Sequence, residues 1–139
     1  MRLYASPEYI AKHGMPEQIE DISKHRLICQ NPRSAQVASG LALVQRLMTY
    51  NVSSMLTVNN YFGVLQSVIH GLGIGMLPDY SAQDLRSVIR VLPDVESVEV
   101  PVYLAYPEEL RQSKRIAAFR DFVEAEILAT RRKQRDQDA

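Results

Sequence analysis

The chain has 139 residues, 46% of them apolar and 23% charged, which suits one modest globular domain with a real core and excludes global disorder. Sixteen basic residues balance sixteen acidic ones, whereas an isolated nucleic-acid-binding module carries a basic excess or stripe. A single cysteine excludes an internal disulfide framework, the N-terminus lacks a continuous apolar signal region, and no apolar run approaches the roughly 18 residues that span a bilayer, so the chain reads as cytoplasmic.

Arg2 to Ala5 reads as a short strand, closed by Ser6-Pro7. Ser6 is placed to cap a helix, Pro7 suits its first position, and Glu8 complements its positive end. Gly14 supplies a left-handed stop. A second helical turn is expected after Pro16, through Ile19 and Ile22, before Arg26 to Gln30 resumes as a strand. Asn31 to Ser39 is polar and loop-like. Leu41 to Met48 is apolar without a decisive period, leaving strand and helix open, with a strand preferred. Ser53 to Val58 alternates as a strand ending at Asn59-Asn60. From Tyr61, the positions Leu65, Val68, Ile69 and Leu72 recur at spacings of three and four, the mark of a buried helix face. Asn59 or Asn60 is its natural N-cap.

Ile74 to Leu77 is a brief buried strand stopped by Pro78-Asp79, followed by a helical turn from Ser81 to Leu85. Val88 to Leu92 is the next strand. Val98 to Tyr106 alternates as a strand that Pro101 bends or places at an edge. Ser113 can then cap a long helix whose Ile116, Phe119, Val123 and Ile127 share one face, with Phe122 beside it. The polar tail RRKQRDQDA, residues 131 to 139, is expected to fray. Strands alternate with helices, so the fold class is α/β.

The run Gly71-Leu72-Gly73-Ile74-Gly75 invites a dinucleotide-binding reading, but Met76 stands where a third glycine is needed and the element order is reversed. A helix C-terminus presents carbonyls, not the amides that attract phosphate. Gly71 is better read as a helix stop, with Gly73 and Gly75 allowing close backbone approach. His13, His25 and His70 have no metal-ligand spacing. Cys29, between apolar neighbours, reads as a small buried side chain. No nucleophile elbow positions a serine. The pairs Glu20-Asp21 and Glu108-Glu109 are sequence neighbours that diverge by about 100° on a helix. Arg131, Arg132, Lys133 and Arg135 lack interleaved aromatics for nucleic acid. The sequence therefore implies no enzyme, no catalytic residues, no metal and no cofactor. What remains is the junction Thr57-Val58-Asn59-Asn60-Tyr61, where free helix amides and amide side chains suit a small polar or anionic ligand; plain N-capping explains the same residues equally well.

The segments RLYASPEYIAKHGMPEQIEDISKHRLI, LTVNNYFGVLQSVIHGLGIGMLPDY and VPVYLAYPEELRQSKRIAAFRDFVE, in that order, resemble the effector-binding domain of LysR-type transcriptional regulators. That resemblance implies a two-lobed fold like a type II periplasmic binding protein, crossed twice by the chain, first at residues 2–6 and again at 102–107. Residues 7–101 would form the second lobe, and the helix over 113–130 would belong to the first. The winged helix-turn-helix and much of the first lobe would lie outside this sequence. An unidentified small-molecule effector would sit between the lobes, against Thr57, Asn59, Asn60 and Tyr61. The resemblance further implies a homo-oligomer, with no membrane contact and with DNA reached only through the helix-turn-helix. Two alternatives are a stand-alone solute-binding module and a dimerisation-competent fragment that modulates full-length regulators.

Overall fold

The computed structural model describes residues 1–31, 38–52, 54–82, 85–95 and 103–137, and the chain divides into two units, Met1–Val100 and Pro101–Ala139. In the first unit, β1 (Arg2–Ala5), β2 (Arg26–Gln30), β3 (Ser54–Val58), β4 (Ile74–Leu77) and β5 (Ile89–Val91) form one sheet among the described residues, in the order β3-β2-β4-β1-β5. β2 runs parallel to β3 and β4, whereas β1 is antiparallel to both β4 and β5. The helices α1 (Pro7–His13), α2 (Ala38–Met48), α3 (Tyr61–Ile69) and α4 (Asp79–Ala82), with a 3-10 turn over Ile19–Lys24, connect the strands.

Strand alternation sorts the core into two layers. Leu3, Ala5, Leu27, Cys29, Ile74 and Met76 join Tyr9, Ile22, Leu43, Val44 and Leu47 on one face. Tyr4, Ile28 and Leu77 face the other way and pack with Val64, Val68 and Ala82. The period of two sends neighbouring strand residues to opposite sides, so a sheet covered on both faces reads as a continuous apolar run. β2 leads through α2 out to β3, and β3 leads back through α3 to β4 on the far side of β2. Crossovers of a single hand must then put α2 and α3 on opposite faces, which is where their buried residues lie.

The punctuation of the sequence is realised in detail. Ser6 Oγ accepts the Tyr9 amide hydrogen at 3.1 Å, with Pro7 at the first helical position and Glu8 in the first turn. Gly14 and Gly71 take positive φ, 86° and 69°. A Cβ on Gly73 would collide with the Arg26 carbonyl, and one on Gly75 with the side chains of Val68 and Val64. The glycine run is a helix stop followed by a strand pressed between β2 and α3.

Three expectations for this first unit need correction. Residues 41–48 form the body of α2, not a strand. Leu43, Val44 and Leu47 bury one face at helical spacing, and Asn51, at φ 56°, provides the left-handed stop beyond Met48 that asparagine tolerates. In α3 the buried residues are Val64 and Val68; Leu65 and Ile69 are half-buried, and Leu72 lies beyond the helix and is exposed. The helical turn after Pro78 starts at Asp79, two residues early; the Pro78 carbonyl accepts the Ser81 amide hydrogen at 3.0 Å and so closes the turn around Asp79.

In the second unit a 3-10 turn, Glu108–Leu110, precedes α5 (Lys114–Gln137). Ser113 occupies the cap position, its carbonyl accepting the Ala117 amide hydrogen at 3.0 Å. The expected strand over 98–106 falls partly outside the described residues; residues 103–106 carry no strand. The helical backbone continues past 130 to Gln137, since arginine, lysine and glutamine are good helix formers even without an apolar face. Along α5, Phe119 and Phe122 are 54% and 62% exposed, and Ile127 is exposed as well.

Candidate functional site

Parallel β2, β3 and β4 deliver their carboxyl ends to one edge of the sheet. There Gln30 pairs in register with Val58, and Arg2 of antiparallel β1 lies opposite Leu77. α2, which follows β2, and α3, which follows β3, pack on opposite faces, so the carboxyl ends of these adjacent strands form a topological switch point, the usual ligand position in open α/β sheets. Two hydrogen bonds tie the ends of β2 and β3 together there. The Asn31 amide donates to the Val58 carbonyl at 2.7 Å, and Gln30 Nε2 donates to the Asn59 carbonyl at 3.2 Å.

The four residues singled out in the sequence are brought to this edge in different states. Thr57 is exposed on β3; because Leu56 and Val58 pack under α3, alternation turns Thr57 to the opposite face. Tyr61, half-buried, packs against the core layer of that same face. Burial, and then the neighbouring Tyr80, pushes the Tyr61 phenol above its ordinary range, so it stays a neutral hydrogen-bond donor at neutral pH. Asn60 is the N-cap of α3: its Oδ1 accepts the Gly63 amide hydrogen at 2.7 Å, and its Nδ2 donates to Asn59 Oδ1 at 2.8 Å. Of the two asparagines that the sequence offered as the cap, Asn60 takes that role. Asn60 is committed to the helix, whereas Asn59 keeps its Nδ2 donors, with no protein partner among the described residues. The amides of Tyr61 and Phe62, in the first turn of α3, have no intrahelical acceptor either. Asn60→Ala is expected to lower stability by about 1 kcal/mol, the usual loss for an N-cap, measurable by urea denaturation.

The edge also gathers residues that sequence spacing did not single out. Arg2 Nε lies 3.0 Å from Asp79 Oδ2, and the Tyr4 hydroxyl donates to Asp79 Oδ1 at 3.2 Å. Burial and the adjacent Asp79 push the Tyr4 phenol up to about 12. Tyr80, next to Asp79 in the chain, is exposed. Arg2 and Asp79 are 77 positions apart, and only the antiparallel pairing of β1 with β4 joins them. The one available signal was the Pro78-Asp79 strand stop.

Other chemical candidates resolve into structural parts. Burial pushes the Cys29 thiol up to about 12, so it remains protonated. Asp21 caps the 3-10 turn, accepting the Glu17 and Gln18 amide hydrogens at 3.2 Å each and pairing with Lys24 at 2.7 Å. Glu108 pairs with Arg111 at 3.3 Å on an exposed surface. Among the described residues no three His, Cys, Asp or Glu side chains gather as metal ligands, and no helix is long and apolar enough to cross a membrane.

A mixed five-stranded sheet with helices on both faces is the architecture of a type II periplasmic-binding-protein-like regulatory domain. The chain belongs to the LysR substrate binding domain family, which matches residues 1–127. Among curated relatives, the HTH-type transcriptional regulator YhjC of Escherichia coli strain K12 is 29% identical over 120 residues, 83% of this chain and 40% of the relative. The probable HTH-type transcriptional regulator SinR of Salmonella typhimurium is 26% identical over 130 residues, 88% of this chain and 41% of the relative. This chain therefore spans about 40% of the length of those regulators. Among solved structures, the regulatory domain of CrgA from Neisseria meningitidis, a LysR-type transcriptional regulator, superposes with a TM-score of 0.65 at 23% identity, covering 90% of this chain and 63% of that one. The regulatory domain of AphB from Vibrio vulnificus gives 0.50 at 25% identity, covering 67% of this chain and 47% of that one. These structures share the fold.

Proposed function

We propose that this chain is the effector-sensing part of a bacterial LysR-type regulator, non-enzymatic and cytoplasmic, that binds a small polar or anionic molecule at the carboxyl edge of β2 and β3. Residues 2–6 and 102–107 would be the crossings between lobes, 7–101 the second lobe, and the helix over 113–130 a part of the first. What supports the reading is that the Tyr61 and Phe62 amides, Asn59 Nδ2 and the exposed Thr57 all belong to the β3-to-α3 junction at the carboxyl edge of the parallel strands, with half-buried Tyr61 opening the helix. Helix amides favour an oxyanion, and the side chains would fix its orientation. DNA would be reached through a helix-turn-helix elsewhere in the regulator. The exposed Phe119, Phe122 and Ile127 suit self-association.

Thermal unfolding in the presence of a panel of small organic acids and amino acids tests the site. A binder present at about 100 times its Kd stabilises by about 2.7 kcal/mol. At least one compound is expected to raise the melting temperature, and the rise should be lost in Asn59→Ala and reduced in Tyr61→Phe. A panel without any binder, or a shift indifferent to Asn59→Ala, would contradict the assignment.

A further inference from the structure

His25 is buried, 5% exposed, whereas His13 and His70 face solvent. It closes the 3-10 turn over 19–24, its amide donating to the Ile22 carbonyl at 3.1 Å, and β2 begins at the next residue. Its ring centroid lies 5.8 Å from that of Tyr9, tilted by 51°, and Tyr9 stacks in turn on His13 at 4.5 Å. The buried Tyr9 hydroxyl accepts the Arg26 amide hydrogen at 3.0 Å. Three rings thereby tie α1 and the 3-10 turn to the first residue of β2, the strand whose carboxyl end is bonded to Val58 and Asn59.

The Nδ1 atom of His25 is buried without a hydrogen-bond partner among the described residues. A neutral imidazole tolerates this as a bare acceptor nitrogen. An imidazolium carries a hydrogen on both nitrogens, so its Nδ1–H would be buried with nothing to accept it. The groups facing the ring reinforce that asymmetry. On α1 there are the Tyr9 phenol and His13; on the turn there are Asp21 and Lys24. Asp21 is the only anion among them, and its carboxylate is already engaged by Lys24 and two amides. The adjacent Arg26 side chain on β2 is exposed.

We propose that His25, Tyr9 and His13 form a proton-operated latch that holds α1 and the 19–24 turn against the start of β2, closed while His25 is neutral and released when it is protonated. The latch does not depend on the effector reading. Burial, and secondarily the charge of His13, holds the His25 imidazole below its ordinary value of 6.5. The unfolded chain therefore binds more protons than the folded one between the two values. Stability is complete above about pH 6.5 and falls as pH drops from there through the lower folded value.

The test is an NMR titration of the histidine Hε1 resonances of the 139-residue chain, paired with thermal unfolding from pH 8 to 5 for the native chain and His25→Phe. Phenylalanine keeps a ring against Tyr9 and removes the proton site. His25 is expected to titrate below free imidazole, and the native chain to lose about 2–6 °C more than the variant as the pH falls. Titration at or above the free-imidazole value, or parallel melting profiles, overturns the proposal. If the variant does not fold, hydrogen exchange in the native chain decides. The Arg26 amide should lose protection relative to the Ile74 amide as His25 protonates, and a constant ratio overturns the latch.

Discussion

Ile28→Ala is expected to lower the unfolding free energy by about 3–4 kcal/mol, near the upper half of the range for truncating a buried aliphatic side chain. Ile28 is fully buried at the middle of β2, with β3 on one side and β4 on the other, under Val64 and Val68 of α3. The cost of such a truncation depends on how far the surroundings collapse into the vacated space. Here collapse is resisted. Two ladders fix the height of β2 in the sheet, and α3 already rests on the bare backbone of Gly75, so it cannot drop further. Urea denaturation would show the loss as a lower midpoint at unchanged slope. A loss below 1 kcal/mol would mean that α3 does not cover this strand.

Gly73→Ala is expected to cost about 2–3 kcal/mol by overpacking. The added methyl group meets the backbone carbonyl oxygen of Arg26, and backbone held in a ladder cannot swing aside as a side-chain tip does. Gly14→Ala provides the contrast. Its Cβ would meet nothing within 4 Å, so only the backbone opposes it: φ 86° with ψ 162° is a region essentially reserved for glycine, where a side chain costs about 1–3 kcal/mol. The two losses thus have different causes, crowding at Gly73 and backbone conformation at Gly14, and Gly73→Ala is expected to melt no higher than Gly14→Ala. A smaller loss at Gly73 would show that crowding at β2 and β4 is relieved by a backbone shift.

Sequence reading reached the strand-to-helix junction because one local signal was enough there. A strand running into asparagines and then a helical period marks a strand-to-helix junction, so Asn59, Asn60 and Tyr61 could be singled out, and the Asn60 cap is as that pattern implies. Gln30, Arg2, Asp79 and Tyr80 were not legible. They reach the same edge only because β2 lies between β3 and β4 and β1 inserts antiparallel beside β4, a pairing that no local period encodes. α2 was misread for another reason. Its apolar cluster is too short for periodicity to separate helix from strand, and Asn51, whose left-handed backbone stops the helix, looks in sequence like any turn residue.

β1 is the first strand of the chain, yet it sits between β4 and β5, pairing Tyr4 with Gly75 on one side and Arg90 on the other. Its ladder partners therefore leave the ribosome long after it does. Until Val91 has emerged, β1 has at most one neighbour and the sheet cannot close. Contacts of such large sequence separation are slow to form because loop entropy must be overcome before they contribute. During synthesis β1 therefore stays unpaired until β4 has been made and gains its second neighbour only with β5.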